Sequence, residues 1–255
     1  MRPADQPAGH FISIEGPDGA GKTLQARRLA TALRTRGHDV VLTREPGGTP
    51  LGDEIREVLM ATDGEPLDPI ADALLFNAAR AQHVANVIRP AVAAGRVVVC
   101  ARYADSTLAY QGYGSGLDLD ILRQVIAIAT RGVVPDRTIL LDLPAEAGLR
   151  RKTPVSHTRF ETSFDVDFHL RVRAGFLEMA AADPARWLIV DADRDADEVF
   201  TSVLAAALNL VEAGRLHRLR GLRGEPSASV GGREGPPAGG LGRSERGLGS
   251  GDKLI

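Results

Sequence analysis

Five short runs of mostly apolar, β-prone residues punctuate the chain: Phe11 to Glu15, Asp39 to Thr43, Arg96 to Cys100, Arg137 to Leu143 and Trp187 to Asp191. Between them, apolar residues recur at helical spacing. Leu24, Ala26, Leu29, Ala30 and Leu33 form one stripe, and Val84, Val87, Ile88, Ala91 and Val92 form another. Strand and helix therefore alternate, which predicts a parallel sheet covered on both faces. The nearly continuous apolar character of Val97 to Val99 and Thr138 to Leu141 suits strands buried on both sides. In such sheets, ligands sit beyond the carboxyl ends of the strands.

The pattern fades from about Gly221, where eleven of the last 35 residues are glycine and apolar residues keep no useful period. This stretch is expected to be disordered. Arg223, Arg233, Arg243, Arg246 and Lys253 are nearly balanced by Glu225, Glu234, Glu245 and Asp252, so a solvated extension is expected rather than a nucleic-acid arm. The expected organisation is a flexible start over residues 1–9, one α/β domain over 10–214 and a tail over 215–255. Composition agrees with a soluble globular protein: 44% hydrophobic, 25% charged, with a formal net charge of −2. A charge so near balance argues against nucleic acid or an anionic membrane as the main partner. The one cysteine, Cys100, sits in a strand run and cannot form an internal disulfide, and no signal or spanning segment is evident. A cytoplasmic protein with a small-molecule substrate is expected.

The strongest local signal is Gly16-Pro17-Asp18-Gly19-Ala20-Gly21-Lys22-Thr23, which matches G-x-x-x-x-G-K-[ST] between the first strand and the first helix. This is a P-loop. Its glycines let backbone N–H groups wrap a chain of phosphates, and the following helix adds its dipole. Lys22 is expected to reach the β and γ phosphates, and the Thr23 hydroxyl to ligate magnesium. The spacing excludes a G-x-G-x-x-G dinucleotide fingerprint. GTPases, ATPases and small-molecule kinases share such a loop, so the acceptor side must decide among them.

After the second strand comes Thr43-Arg44-Glu45-Pro46-Gly47-Gly48-Thr49, then Phe76-Asn77-Ala78-Ala79-Arg80, and then Arg102-Tyr103 with Asp105-Ser106-Thr107-Leu108-Ala109-Tyr110-Gln111-Gly112. In order and spacing, from about Phe11 to about Gly214, these resemble the acceptor site of bacterial-type thymidylate kinases. The resemblance implies a three-layer P-loop fold with a five-stranded parallel sheet and a lid over about 150–163. It also implies transfer of the γ-phosphoryl group of ATP to thymidine monophosphate with magnesium, and a homodimer. By the same resemblance, Asp18 approaches the deoxyribose, Arg44, Arg56 and Arg102 gather around the acceptor phosphate, and Glu45 belongs to the acceptor site. Phe76 stacks on thymine, Arg80, Thr107 and Gln111 meet its polar edge, and Tyr110 lies against the sugar. Since Pro17, Asp18 and Ala20 bring no arginine to the loop, the lid is expected to bring it, with Arg159 the first candidate and Arg151 the second.

Taken singly, these residues keep plainer readings. Phe76 and Tyr110 suit a core, and Arg56 and Arg80 suit a solvated helix face. The chain also departs from the family pattern twice: Ala101 stands where an aspartate precedes the arginine, and Thr158 where an aspartate precedes Arg159-Phe160-Glu161. Glu15 and Asp105 are the nearby carboxylates that could stand in for the one missing at 101. A weakened or silent nucleotide-binding homologue, or a P-loop kinase with another acceptor, are the alternatives these features leave open.

Overall fold

The computed structural model describes residues 9–61, 66–151 and 165–222. Five parallel strands form one sheet: β1 (His10–Glu15), β2 (Val40–Arg44), β3 (Val97–Ala101), β4 (Arg137–Asp142) and β5 (Trp187–Asp191), in the order β2-β3-β1-β4-β5. Each expected strand is present, with bounds moved by a residue at most. Ile12 lies opposite Val99 and Leu42 shares that partner, while Ile14 lies opposite Ile139.

Alternation along the strands sorts the core into two layers. Ile12, Ile14, Val97, Val99, Ala101, Ile139 and Leu141 pack against α1 (Lys22–Thr35) and the final helix, α9 (Ala196–Leu222). On the opposite face, Phe11, Val98 and Cys100 meet Val84, Ile88 and Ala91, and Leu140 and Trp187 meet Phe168, Val172 and Phe176 of α8 (Val166–Ala182). The stripe expected on α1 holds at Ala26, Leu29, Ala30 and Leu33, but Leu24 is half exposed and borders the cavity described below.

The acceptor side is carried by α2 (Pro50–Met60), α3 (Pro69–His83), the short α5 (Ala104–Thr107) and a π-helical segment, Leu108–Gly114, with α6 (Leu119–Thr130) behind it. Proline at N1 and a side-chain cap fix two of these starts: Thr49 accepts from the N–H of Gly52, and Asp68 from that of Ile70. After α3 the chain runs through a π turn, Val84–Ile88, into α4 (Arg89–Ala93). The α7 helix (Ala145–Arg151) leads toward the expected lid.

Two expectations about the ends change or fall outside view. The last helix continues through Leu222, past the domain boundary expected at 214. The rest of the tail, the N-terminal eight residues and most of the lid, including Thr158 and Arg159, lie outside the described residues. Among the described residues, no helix is long and apolar enough to cross a membrane.

Candidate functional site

Between β1 and α1 the P-loop turns the chain through left-handed backbone, and Gly21, at φ 83°, caps α1 without a side-chain acceptor. A Cβ built there meets nothing within 4 Å, so the turn conformation demands the glycine and the space before the helix is left open. Backbone N–H groups and the helix dipole face that space, an arrangement suited to phosphate. The Lys22 ammonium folds over the loop, donating to the Pro17 carbonyl at 2.6 Å, and is largely buried.

A cavity of about 360 Å³ runs from this loop to the acceptor segments. Asp18, Gly19, Gly21, Lys22 and Thr23 border one end; Phe76, Thr107, Tyr110 and Gln111 border the other; Arg56 and Arg102 lie along its wall with Glu45 and Pro46. Arg102 has φ 70°, strained for a non-glycine residue, and is held by its N–H to the Ile14 carbonyl at 3.0 Å. Its guanidinium donates to Asp18 Oδ1 at 2.5 Å, to Tyr110 Oη at 3.1 Å and to Ser106 Oγ at 3.2 Å. Burial opposes the charge on Arg102, but Tyr110, Asp18 and Glu15 outweigh it and raise the pKa above the ordinary arginine range. Tyr110 in turn donates to Asp18 Oδ2 at 2.8 Å. Three residues 84 and 92 positions apart are thereby joined in one cluster.

Arg56 donates to the Pro46 carbonyl at 3.1 Å, and its pKa is lowered, first by burial and then by Arg44 and Arg102. Mutual repulsion of this kind is relieved by an anion. Arg44 does not line this cavity: it is half exposed, reaches Asp53 at 3.3 Å and borders a second cavity of about 310 Å³ together with Thr23 and Ala101.

Arg80 is not a solvated helix arginine. It is 1% exposed, and donates to Glu45 Oε2 at 2.8 Å, Asn77 Oδ1 at 2.8 Å, the Tyr103 carbonyl at 3.2 Å and Thr107 Oγ1 at 3.0 Å. It therefore stands just behind the cavity wall, tying Glu45 to Thr107. Phe76 is half-buried and borders the cavity while also packing on the apolar cluster around Phe168 and Phe176, so both readings of it hold. Arg151, expected at the reacting phosphate, is turned elsewhere: it donates to the Ala192 carbonyl at 2.8 Å and Asp193 at 3.0 Å after β5, because α7 ends beside that loop.

Neither carboxylate expected to stand in at position 101 does so. Ala101 points with Ile14 toward the α1 face, whereas Glu15 and Asp105 serve the opposite side. Glu15 is fully buried and accepts from the Tyr103 N–H at 2.6 Å and the Ser106 hydroxyl at 2.6 Å. Burial, and then Asp105, push its pKa up to about 7. Asp105 is held by Arg186 at 2.7 Å. Among the described residues no group of three or more His, Cys, Asp or Glu could hold a metal. Thr23, exposed at the start of α1, borders the cavity at the loop, and its hydroxyl fits an ion such as magnesium that takes its other ligands from phosphates and water.

The sequence reading missed Asp72, His83, Ser106 and Arg186. Asp72, Arg80 and His83 lie with Phe76 at spacings of three or four on one face of α3, and these polar residues within a mostly apolar helix were the available signal. His83 is buried, with Nδ1 3.0 Å from Glu45 and Nε2 2.7 Å from Thr43, and steadies the acceptor loop.

The family model described as thymidylate kinase matches residues 14–203. The thymidylate kinase of Deinococcus radiodurans is 50% identical over 198 residues, covering 78% of this chain and 96% of that protein. The one from Thermomicrobium roseum is 51% identical over 207 residues, covering 80% and 97%. The crystal structure of thymidylate kinase from Ehrlichia chaffeensis superposes with a TM-score of 0.65 at 34% identity, covering 79% of this chain and 99% of the other.

Proposed function

The chain belongs to the thymidylate kinase family, and from this we infer that it transfers the γ-phosphoryl group of ATP to thymidine monophosphate, giving ADP and the diphosphate. The observation that carries the reading is a single cavity in which the phosphate cradle, with Lys22, opens directly onto a pocket with an aromatic wall and a polar edge. Arg56 and Arg102 stand between the two ends, where the acceptor phosphate has to lie for in-line transfer. The acceptor is already an anion, so no strong base is required; positioning and neutralisation of charge supply the rate.

In this reading the loop from Gly16 to Thr23 binds the triphosphate. Arg102 and Arg56 bind the acceptor phosphate, with Arg44 contributing from the rim. Phe76 stacks on the base, Thr107 and Gln111 meet its edge with Arg80 and Glu45 behind them, and Tyr110, held by Asp18, faces the sugar. Arg159 is proposed, from the family resemblance alone, to supply charge at the transferring group. Magnesium held by Thr23 would neutralise phosphate charge when bound. We further propose a cytoplasmic homodimer: Leu51 and Val58 of α2, Ile70 and Leu74 of α3, and Ile121 and Ile128 of α6 are exposed, which supports a buried face. Sedimentation should give twice the 27.1 kDa chain mass.

A second reading, a nucleotide-binding relative with little turnover, rests on Ala101 and Thr158, which stand where the family pattern has aspartates. ADP release from ATP, magnesium and thymidine monophosphate tests both, comparing the unmodified protein with Ala101→Asp and Lys22→Ala. Turnover abolished by Lys22→Ala supports the kinase. Background turnover restored only by Ala101→Asp supports the silent relative.

A further inference from the structure

Gln111 borders the cavity at 2% exposure, and its amide nitrogen Nε2 donates to Asp72 Oδ2 at 2.9 Å. Asp72 itself is 5% exposed and does not line the cavity; it stands behind Gln111, one turn before Phe76 on α3. A carboxylate offers acceptors only, so it takes the NH₂ end of the amide, leaving the carbonyl oxygen Oε1 for the cavity. Next to it, Thr107 Oγ1 accepts from Arg80 Nη2 at 3.0 Å, which leaves its O–H able to donate toward the cavity. The wall thus presents a fixed acceptor at Gln111 beside a hydroxyl that can donate.

We propose that Asp72 is a positioning residue that locks the Gln111 amide with its oxygen toward the base, and so selects pyrimidines carrying a proton at N3 beside a carbonyl over cytosine. The inference rests on the acceptor reading above and deepens it. Thymine and uracil offer N3–H to Gln111 and a carbonyl to Thr107. Cytosine offers an acceptor at N3 and an amino group at C4; the Thr107 hydroxyl can turn to suit the amino group, but the pinned Gln111 oxygen meets a second acceptor at N3. A free amide could rotate to suit either base at little cost, whereas one pinned by a buried carboxylate leaves the wrong base with unpaired polar groups. Selection between thymine and uracil does not involve this pair, since their edges are the same.

The test is calorimetric binding of thymidine and cytidine monophosphates to the unmodified protein, to Asp72→Asn, and to both on a Gln111→Ala background, with ATP binding as a control. Asparagine keeps the size of Asp72 but can face Gln111 with either its oxygen or its NH₂, which frees the amide to turn. The expected result is that Asp72→Asn narrows the ratio of the two dissociation constants at least tenfold and leaves ATP binding within twofold. On the Gln111→Ala background, the same change should no longer alter the ratio. A merely structural role for Asp72 would weaken both nucleotides alike and leave the ratio where it was, and that result overturns the inference. So does an equal change of the ratio with and without Gln111. If the unmodified protein binds neither nucleotide, the acceptor reading itself falls and the inference with it; if thymidylate binds well and Asp72→Asn is without effect, the inference alone is lost.

Discussion

At position 101, β3 ends in a methyl group that borders the second cavity beside Thr23, and the carboxylate that lines this cavity, Asp53, is paired with Arg44 at 3.3 Å. In the proposed reading a magnesium–phosphate complex there would rely on Thr23, the substrates and water. Restoring the acid by Ala101→Asp is expected to raise turnover by about two to four powers of ten, on the scale of single catalytic-group effects, with thymidylate affinity little changed. Steady-state rates of ADP release check this. Glu15 gives a second residue-scale prediction. Its native pKa of about 7 lies above the ordinary 4.5, so between those values the folded protein keeps a proton that the unfolded chain has released. Its contribution to stability is complete below about pH 4.5 and declines as pH rises to about 7. The loss amounts to roughly 3 kcal/mol by linkage. Unfolding free energies from urea titration at pH 5 and pH 8 should differ less in Glu15→Gln than in the unmodified protein, by about 2 to 3 kcal/mol.

Between elements, α7 meets the P-loop through two glycines. A Cβ on Gly148 would run into the carbonyl oxygen of Asp18, and one on Gly19 into that of Gly148. The obstacle is backbone, so it yields only if the helix or the loop moves. Gly148→Ala is therefore expected to push α7 off the cradle and raise the KM for ATP about tenfold, comparable to one lost hydrogen bond to phosphate, while the KM for thymidylate changes little. Equal effects on both substrates would contradict it. The α3 helix shows how one element can serve two duties. Its Ala73 and Ala79 are buried in packing, while Phe76 borders the cavity and Asp72, Arg80 and His83 brace the acceptor wall from behind.

Across the whole molecule, the acceptor side is braced from the far end of the sheet. Arg186, just before β5, donates to Asp105 Oδ2 at 2.7 Å, Thr138 Oγ1 at 2.8 Å and Asp183 Oδ2 at 2.9 Å, and so ties α5 to β4 and β5. The Asp105 side chain is only 9% exposed. Arg186→Met would leave it buried without its cation, at a cost of about 3 kcal/mol, read as a lower urea midpoint. An unmoved midpoint would mean that water replaces the guanidinium. Because α5 carries Ser106 and Thr107 into the site, the same variant should also weaken thymidylate binding.

Much of this protein is written locally. The P-loop is legible because phosphate is held by backbone within eight consecutive residues, and the strands because burial on two faces leaves an apolar run. The acceptor motifs could be found by order and spacing, which is how Phe76, Arg102, Thr107, Tyr110 and Gln111 were anticipated at the cavity. Spacing carried less about direction. It did not say that Arg80 would be buried behind the wall, that Arg44 would turn to Asp53 or that Arg151 would turn to Asp193. Nor did it say that Glu15 lies on the wrong face of the sheet to replace an acid at 101, although the period of two along β1 held that answer once β1 and β3 were paired. The pairing of Asp72 with Gln111, 39 residues apart, and of Asp105 with Arg186, 81 apart, depended on which elements pack together. A side chain's partner across such distances is chosen by the meeting of elements whose register is set by the whole core, and no local pattern records it.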